Sequence, residues 1–143
     1  MNKKTILIPI VVIIGIFMIN FASDKSQEEN NVIFHVTLAD PELYKNGVYS
    51  NSFFMDEGEY SFRFVPNGSS PENLTIALNG NNFNFSEDFK LKGTSHQTGI
   101  SEYFTWEYEG EQRVMISESQ DVSIIINPNG KERGSVSVDL IQN

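Results

Sequence analysis

The chain has 143 residues, with 19 acidic and 10 basic side chains, a formal net charge of −9 and no cysteine. This length suits one domain, and the acidic excess argues against a nucleic-acid partner, because binding phosphate groups requires a basic surface. The lack of cysteine excludes disulfides, thiolate zinc sites, iron–sulfur clusters and cysteine nucleophiles. Glycine-rich phosphate loops of the G-x-G-x-x-G and G-x-x-x-x-G-K-[ST] types are also absent from the sequence, so no cofactor is predicted.

The first 23 residues have the pattern of a membrane segment. Two lysines precede an uncharged, mostly apolar run over residues 5–23, which as a helix would be about 28 Å long, close to the ~30 Å hydrocarbon core of a bilayer. A cleavage site near residue 23 would place Asn20 or Phe21 where a small residue is required. We therefore predict an uncleaved signal anchor over 1–23 with its N-terminus in the cytoplasm. Secretion after cleavage near residue 23 is the alternative.

The remainder of the chain divides into a polar tether, residues 24–31, and a domain, residues 32–143. Eight basic and 19 acidic residues follow residue 23, a net charge of −11. Such a charge is repelled by anionic lipid headgroups and favours a soluble domain that projects from the membrane. We therefore predict an extracytoplasmic domain.

The pattern of this domain predicts β-structure. Short runs of β-branched and aromatic residues alternate with Gly, Asn, Pro and Asp clusters, and no segment shows helical periodicity over three turns. About nine strands are predicted: Val32–Leu38, Val48–Met55, Glu59–Val65, Asn73–Leu78, a strand holding Phe83 and Phe85, Tyr103–Tyr108, Arg113–Ile116, Val122–Asn127 and Ser135–Ile141. The prediction is an all-β antiparallel sandwich of the jelly-roll or immunoglobulin-like kind, preceded by one N-terminal hydrophobic helix.

The turn signals give more detailed expectations. Asp56-Glu57-Gly58 predicts a hairpin, and Asn79-Gly80 predicts a second tight turn. Residues 93–102 are predicted to form a long polar loop that carries His96. The run Ile124-Ile125-Ile126 would place apolar side chains on both faces of a strand, which predicts a central strand.

Catalytic groups are scarce in the sequence. His35 and His96 are the chain's two imidazoles, and no G-x-S-x-G motif is present. His35 falls in the middle of a predicted strand, opposite its apolar face, where we expect an exposed or hydrogen-bonded side chain. We therefore predict a protein that is not an enzyme.

Acidic clusters are the remaining candidates for a metal site. Asp56, Glu57 and Glu59 supply oxygen atoms of the kind that Ca²⁺ prefers, as do the glutamates within residues 107–111. Neither group matches the D-x-[DN]-x-[DN]-G loop, and a solvated acidic surface is the simpler interpretation. No metal is predicted, and Asp56, Glu57 and Glu59 remain weak calcium candidates.

Three N-x-[ST] sequons, at Asn67, Asn73 and Asn84, lie in the predicted exported domain and are candidate glycosylation sites. Asn67 is the best of them because it lies in the predicted loop over residues 66–71.

The aromatic residues around the sole tryptophan suggest a binding surface for a protein or glycan. We assign Tyr103 and Trp106 to one face of their strand and Phe104 and Tyr108 to the other, with one pair in the core and the other able to face solvent. Tyr103 and Trp106 are the candidate surface pair. Packing of both pairs in the core is the competing interpretation.

The Lys-Lys pair, the long apolar span and the cysteine-free acidic β-rich domain with Asn-Gly turns resemble the small anchored surface proteins common in archaea. The stretch 49–78 is also similar to the opening strands of GOLD-type sandwich domains. GOLD-type domains generally carry a paired cysteine, which this chain lacks, so the resemblance assigns no functional residue.

Three functional hypotheses follow. The leading one is a noncatalytic, membrane-anchored domain for contact with a protein or glycan, as an accessory subunit of a membrane or surface assembly. A structural subunit of an extracellular filament or surface layer is the alternative, because an apolar N-terminal helix and a β head suit helical assembly. A secreted hydrolase is the second alternative, and it requires a cleft with convergent carboxylates.

Overall fold

The computed structural model describes residues 31–143, and the predicted helix and most of the predicted tether lie outside these residues. The described part is all-β and contains a strand at each of the nine predicted places, although Phe83 lies just before the strand that holds Phe85. Their bounds are β1 Asn31–Leu38, β2 Tyr49–Met55, β3 Gly58–Pro66, β4 Asn73–Asn79, β5 Asn84–Gln97, β6 Glu102–Glu109, β7 Arg113–Ile116, β8 Gln120–Asn127 and β9 Val136–Gln142. A single 3₁₀ turn at Pro41–Leu43 follows β1, and the Asp40 carboxylate caps it by accepting a hydrogen bond from the backbone of Glu42.

The strands form two antiparallel sheets, as expected for a β-sandwich. One sheet has the order β1-β9-β3-β7 and the other the order β2-β8-β4-β5-β6. Among the described strands, β4–β5 and β5–β6 are the consecutive pairs that hydrogen-bond to each other, so the other connections pass between the sheets. The turn predicted at Asn79-Gly80 is confirmed, since the Gly80 N–H donates to the Phe83 carbonyl at 2.8 Å.

The hairpin predicted at Asp56-Glu57-Gly58 is wrong. β2 pairs with β8, whereas β3 pairs with β7 and β9 in the other sheet. The segment is held by one distant and one local bond: the Glu57 N–H donates to Ser119 Oγ at 2.9 Å, and the Tyr60 hydroxyl donates to the Asp56 carbonyl at 2.7 Å. These bonds favour a crossing between the sheets over local pairing.

Alternating side chains from both sheets form the core. Phe62 and Phe64 of β3 meet Phe89 of β5, with ring centroids 5.8 and 4.8 Å apart, and Phe64 also contacts Tyr108 of β6 at 5.1 Å. The run Ile124–Ile126 lies in β8 between β2 and β4, which confirms the predicted central strand. Ile125, however, is on the outer face and 37% exposed.

β5 extends well beyond the sheet that contains it. This 14-residue strand pairs with β4 from Asn84 to Lys90 and with β6 from Lys90 to Gln97. Its second half and β6 therefore form a two-stranded ribbon, residues 91–108, that projects past β4. The loop predicted over residues 93–102 is wrong, because pairing continues to Gln97 and Glu102 and the turn is confined to Thr98–Ser101.

Candidate binding surface on the ribbon

The register of the ribbon places Phe104, Trp106 and Tyr108 on one face and Tyr103 on the other. Gly93 lies opposite Trp106, and His96 lies opposite Tyr103. The assignment of Tyr103 and Trp106 to one face is therefore wrong, because residues two apart in a strand share a face and these two are three apart. We call the side of the ribbon that bears Phe104 and Trp106 its aromatic face.

Trp106 anchors the aromatic face. Its ring stacks on Phe104 with centroids 5.9 Å apart and an interplanar angle of 28°. Two glycines make room for the indole, since a Cβ on Gly93 would lie 2.7 Å from Cζ3 of Trp106 and a Cβ on Gly68 would lie 3.1 Å from Cζ2. The indole thus joins the ribbon to the loop between β3 and β4 and is partly buried there.

Other aromatic and apolar side chains of the ribbon are open to solvent. Phe104 is 52% exposed, Tyr103 is 51% exposed and Ile100, in the turn, is fully exposed. Tyr108, at the base of the ribbon, is buried, and its hydroxyl donates to the Pro71 carbonyl at 2.6 Å. Burial raises the pKa of the Tyr108 phenol, so it stays protonated. Exposure therefore increases along the ribbon away from the two sheets.

Cross-strand pairs order the opposite face of the ribbon. His96, predicted to lie in a loop, is instead in β5, where it stacks on Tyr103 with centroids 4.9 Å apart and lies 2.9 Å from Thr105 Oγ1 through Nε2. Nearer the base, Lys92 Nζ donates to Glu109 Oε1 at 2.6 Å, and this bond raises the pKa of Lys92. Such pairs fix side chains before any partner binds, which reduces the entropy lost on binding.

A second polar constellation lies on the outer face of the four-stranded sheet. Asp139 of β9 is 4% exposed although it points away from the core, because His35 and Arg63 cover it. Arg63 donates from Nε and Nη2 to Asp139 Oδ2 at 2.9 and 2.7 Å, and His35 Nδ1 bonds to Oδ1. Burial alone would raise the pKa of Asp139, but the bonds and charges of His35 and Arg63 together lower it. The expectation of an exposed or hydrogen-bonded His35 is confirmed.

This constellation includes a hydroxyl, but its setting does not support acyl transfer. Thr37 Oγ1 lies 3.3 Å from His35 Nε2, which completes a hydroxyl–imidazole–carboxylate row with Asp139. The row lies on a sheet face, where backbone N–H groups point along the sheet and not toward a group above it, so none is aimed at an oxyanion. The Thr37 hydroxyl also bonds to Ser137 Oγ at 2.9 Å. We interpret the row as a polar network over Asp139.

The first of the two acidic groups considered for calcium lies around the crossing from β2 to β3. Asp56, Glu57 and Glu59 are exposed, and nowhere in residues 31–143 do three acidic, histidine or cysteine side chains form a group able to hold a metal ion. The geometry therefore adds no support for a calcium site.

The three sequon asparagines are all exposed, but they differ in their hydrogen bonds. Asn67 Nδ2 donates to Ser135 Oγ at 3.2 Å, and Asn67 Oδ1 accepts from the Ser69 N–H at 2.8 Å. The Asn73 and Asn84 side chains have no such bonds to other described residues. The candidate favoured by its loop position is thus the one whose amide is engaged in the fold.

Within residues 31–143 there is no helix of the length and apolar character needed to span a membrane. The clustering of His35 and Arg63 around Asp139 was missed by sequence reasoning, because strands far apart in the chain bring these residues together. No protein-family model, curated protein or solved structure matches this chain, so its function has to be inferred from the geometry of the ribbon.

Proposed function

We propose that the protein is a noncatalytic, membrane-anchored extracytoplasmic domain that contacts a protein or glycan through the ribbon, as an accessory subunit of a membrane or surface assembly. One observation carries the proposal: an ordered pair of strands projects past the sheet and exposes Ile100, Tyr103 and Phe104. Single exposed apolar residues are common on proteins, but aromatic side chains clustered on a projecting element are typical of interaction sites.

The order of the ribbon supports this role. Trp106 packs against two glycines and Phe104, and His96 packs against Tyr103, so the exposed rings are held in place. Rigid aromatic side chains offer a large contact area at a low cost in conformational entropy. They suit apolar side chains of a protein partner or the apolar face of a sugar ring.

Anchoring is the second part of the proposal, and it rests on residues 5–23. Their length and hydropathy suit a span, and the lysines before them suit a cytoplasmic N-terminus. Extraction of native membranes at alkaline pH, followed by N-terminal sequencing, tests this part. Retention of the intact chain in the pellet is expected, whereas soluble protein that starts near residue 24 would show cleavage and secretion.

The contact between the ribbon and a protein or glycan can be tested by cross-linking. The cross-linked full chain is purified from native membranes, and its partners are identified by mass spectrometry and glycan analysis. Phe104→Ser is the test variant, and Phe54→Ser is its control, because Phe54 is an equally exposed phenylalanine, at 56%, on β2. We expect Phe104→Ser to reduce recovery of the partner about tenfold, which corresponds to about 1.4 kcal/mol. Equal recovery with both variants would overturn the role of the ribbon.

Filaments seen by electron microscopy of the purified protein would favour a structural subunit instead.

A further inference from the structure

Four of the described strands are edge strands over their whole length, and they differ in how far their edges are protected. The four are β1, β7, β2 and β6. β5 has a free side only beyond Lys90, and there the Leu91 N–H already donates to the Glu72 carbonyl at 2.8 Å. An edge strand directs alternate backbone N–H and C=O groups away from its sheet, where a strand from another chain can bind them. Proteins prevent this with bulges, short strands, or side chains that occupy the free groups.

Three of the four edges carry such a device. In β1, the pairing with β9 shifts between Val32 and Phe34. In β7, which has only four residues, the Arg113 N–H donates to Glu111 Oε1 at 2.9 Å. In β2, the Ser52 N–H donates to Asn51 Oδ1 at 2.8 Å.

The edge of β6 carries none of these three devices over most of its length, and its charged side chains are the glutamates at 102, 107 and 109. Its eight residues pair with β5 in an unbroken register and include no proline, lysine or arginine. Within residues 31–143, the single side-chain bond to its backbone is from Gln112 Nε2 to the Tyr108 carbonyl, at 3.4 Å. The stretch from Glu102 to Glu107 is therefore free to pair with another strand.

We propose that β6 pairs antiparallel with β6 of a second copy of this chain, about a twofold axis at Thr105. In this register Thr105 faces Thr105 of the second copy, and Phe104 faces its Trp106 across the new strand boundary. Directly opposed residues in an antiparallel pair share a face, so these rings meet on the aromatic face. On the other face, Tyr103 lies opposite Glu107 of the second copy, where its hydroxyl can donate to the carboxylate.

The charges of β6 do not oppose pairing with a second copy. In the register about Thr105, no carboxylate lies directly opposite another, because Glu109 falls opposite Ser101 and Glu102 opposite Tyr108. Within the ribbon, two of the three glutamates of β6 already have a cationic neighbour, since Lys92 lies opposite Glu107 and bonds to Glu109. Repulsion between the glutamates of the two copies is therefore reduced.

This inference rests on the proposed function and deepens it, since it names one partner of the ribbon. Pairing would join two five-stranded sheets into one continuous sheet and bring the Phe104 and Trp106 rings of both copies into one larger patch. Because the paired stretch is short, the association is expected to be weak in solution. Confinement of both copies to one membrane would raise their effective concentration and favour the dimer.

Disulfide trapping in the full chain tests the pairing, because the chain has no other cysteine. Thr105→Cys places its thiols opposite each other at the axis, within reach of a disulfide. Thr94→Cys is the matched control, since Thr94 lies directly opposite Thr105 on β5 and would be roughly 14 Å from its equivalent. On oxidation of native membranes with copper–phenanthroline, we expect Thr105→Cys to form covalent dimer about tenfold faster than Thr94→Cys. Equal rates would overturn the proposal.

A second pair of variants tests the register. Tyr103→Cys and Glu107→Cys should each trap little dimer alone, because equivalent positions would lie roughly 13 Å apart along the strands. Membranes that contain both variants should yield a mixed covalent dimer. Absence of that mixed dimer would rule out the register about Thr105. Emission from Trp106, the sole tryptophan, checks that each variant keeps a folded ribbon.

The outcomes separate this inference from the proposed function. If Thr105→Cys fails to trap dimer while Phe104→Ser still loses its partner, self-pairing is wrong and the contact role stands. If dimer is trapped at Thr105 and Phe104→Ser recovers every other partner unchanged, self-pairing stands and the broader contact role of the ribbon is wrong.

Discussion

The two halves of β5 belong to one strand but are stabilised differently. From Asn84 to Lys90 the strand has a neighbour on each side, and Phe89 is fully buried against rings from the opposite sheet. From Leu91 to Gln97 it pairs with β6 alone, and most of its side chains are exposed. Backbone pairing is thus common to both halves, whereas full burial of a side chain in the core is confined to the first.

The ribbon compensates for its missing core with a small cluster of its own. Trp106 lies over Gly93 and against Gly68, and its stack with Phe104 covers part of the aromatic face. Isolated two-stranded structures are marginally stable in water. We therefore expect the ribbon to open at a lower free energy than the paired sheets, as binding elements commonly do.

The largest expected effect tests the difference in burial directly. Phe89→Ala removes a fully buried ring, and we expect it to lower the free energy of unfolding by about 3–5 kcal/mol. Phe104→Ala removes a ring that is 52% exposed, and we expect a loss below about 1 kcal/mol. Urea unfolding of the full chain, followed by circular dichroism, measures both. Comparable losses would show that the ribbon is as integral to the fold as the core.

The Asp139 network provides an intermediate effect within the sheets. Replacing Asp139 with Asn weakens its bonds to Arg63 and His35, and we expect a loss of about 2 kcal/mol at neutral pH. Asp121→Asn is the control, because Asp121 is an exposed acid on β8. Its effect on unfolding should be close to zero.

The same network should respond to pH in a defined direction. Since the pKa of Asp139 is lowered in the folded protein, its contribution is complete above the ordinary value of 3.8 and is lost as pH falls from there through the folded value. The difference in stability between wild type and Asp139→Asn should therefore shrink below about pH 4. A difference that stays constant from pH 7 to pH 2.5 would show that the carboxylate charge is not what matters.

The strands were predictable where one face of the strand is buried. Tyr60 and Phe62 point inward from β3, as Val136 and Val138 do from β9, and this alternation is visible in the sequence. The pairing of β2 with β8 was not predictable, because it depends on contacts between segments far apart in the chain. Asp56-Glu57-Gly58 has the composition of a hairpin turn, but Ser119 holds it in a crossing between sheets.

The ribbon was missed for a different physical reason. Residues 93–97 are small or polar, so they show no buried face, and their strand is specified by cross-strand pairs such as His96 with Tyr103. Tyr103 and Trp106 were predicted to face solvent together, but they lie on opposite faces of β6, where Tyr103 is exposed and Trp106 is partly buried. Counting alternate positions would have placed Trp106 with Phe104.

The smallest expected effect on overall stability is also the most specific to the ribbon. A Cβ at Gly93 would lie 2.7 Å from the indole of Trp106, so Gly93→Ala should displace that ring and shift its fluorescence to longer wavelength. Because the paired sheets are untouched, the urea midpoint followed by circular dichroism should change little. Gly99→Ala is the control, since a Cβ there meets nothing within 4 Å and should leave the emission unchanged.

Since Trp106 is the sole tryptophan, its emission reports on the ribbon while circular dichroism reports on the two sheets as a whole. In the Gly93→Ala protein we expect the fluorescence transition to occur at lower urea than the circular dichroism transition, because the ribbon has lost the cluster that holds it. Coincident transitions would mean that the ribbon and the sheets unfold as one unit, and that Trp106 couples them through Gly68 more strongly than the pairing pattern implies.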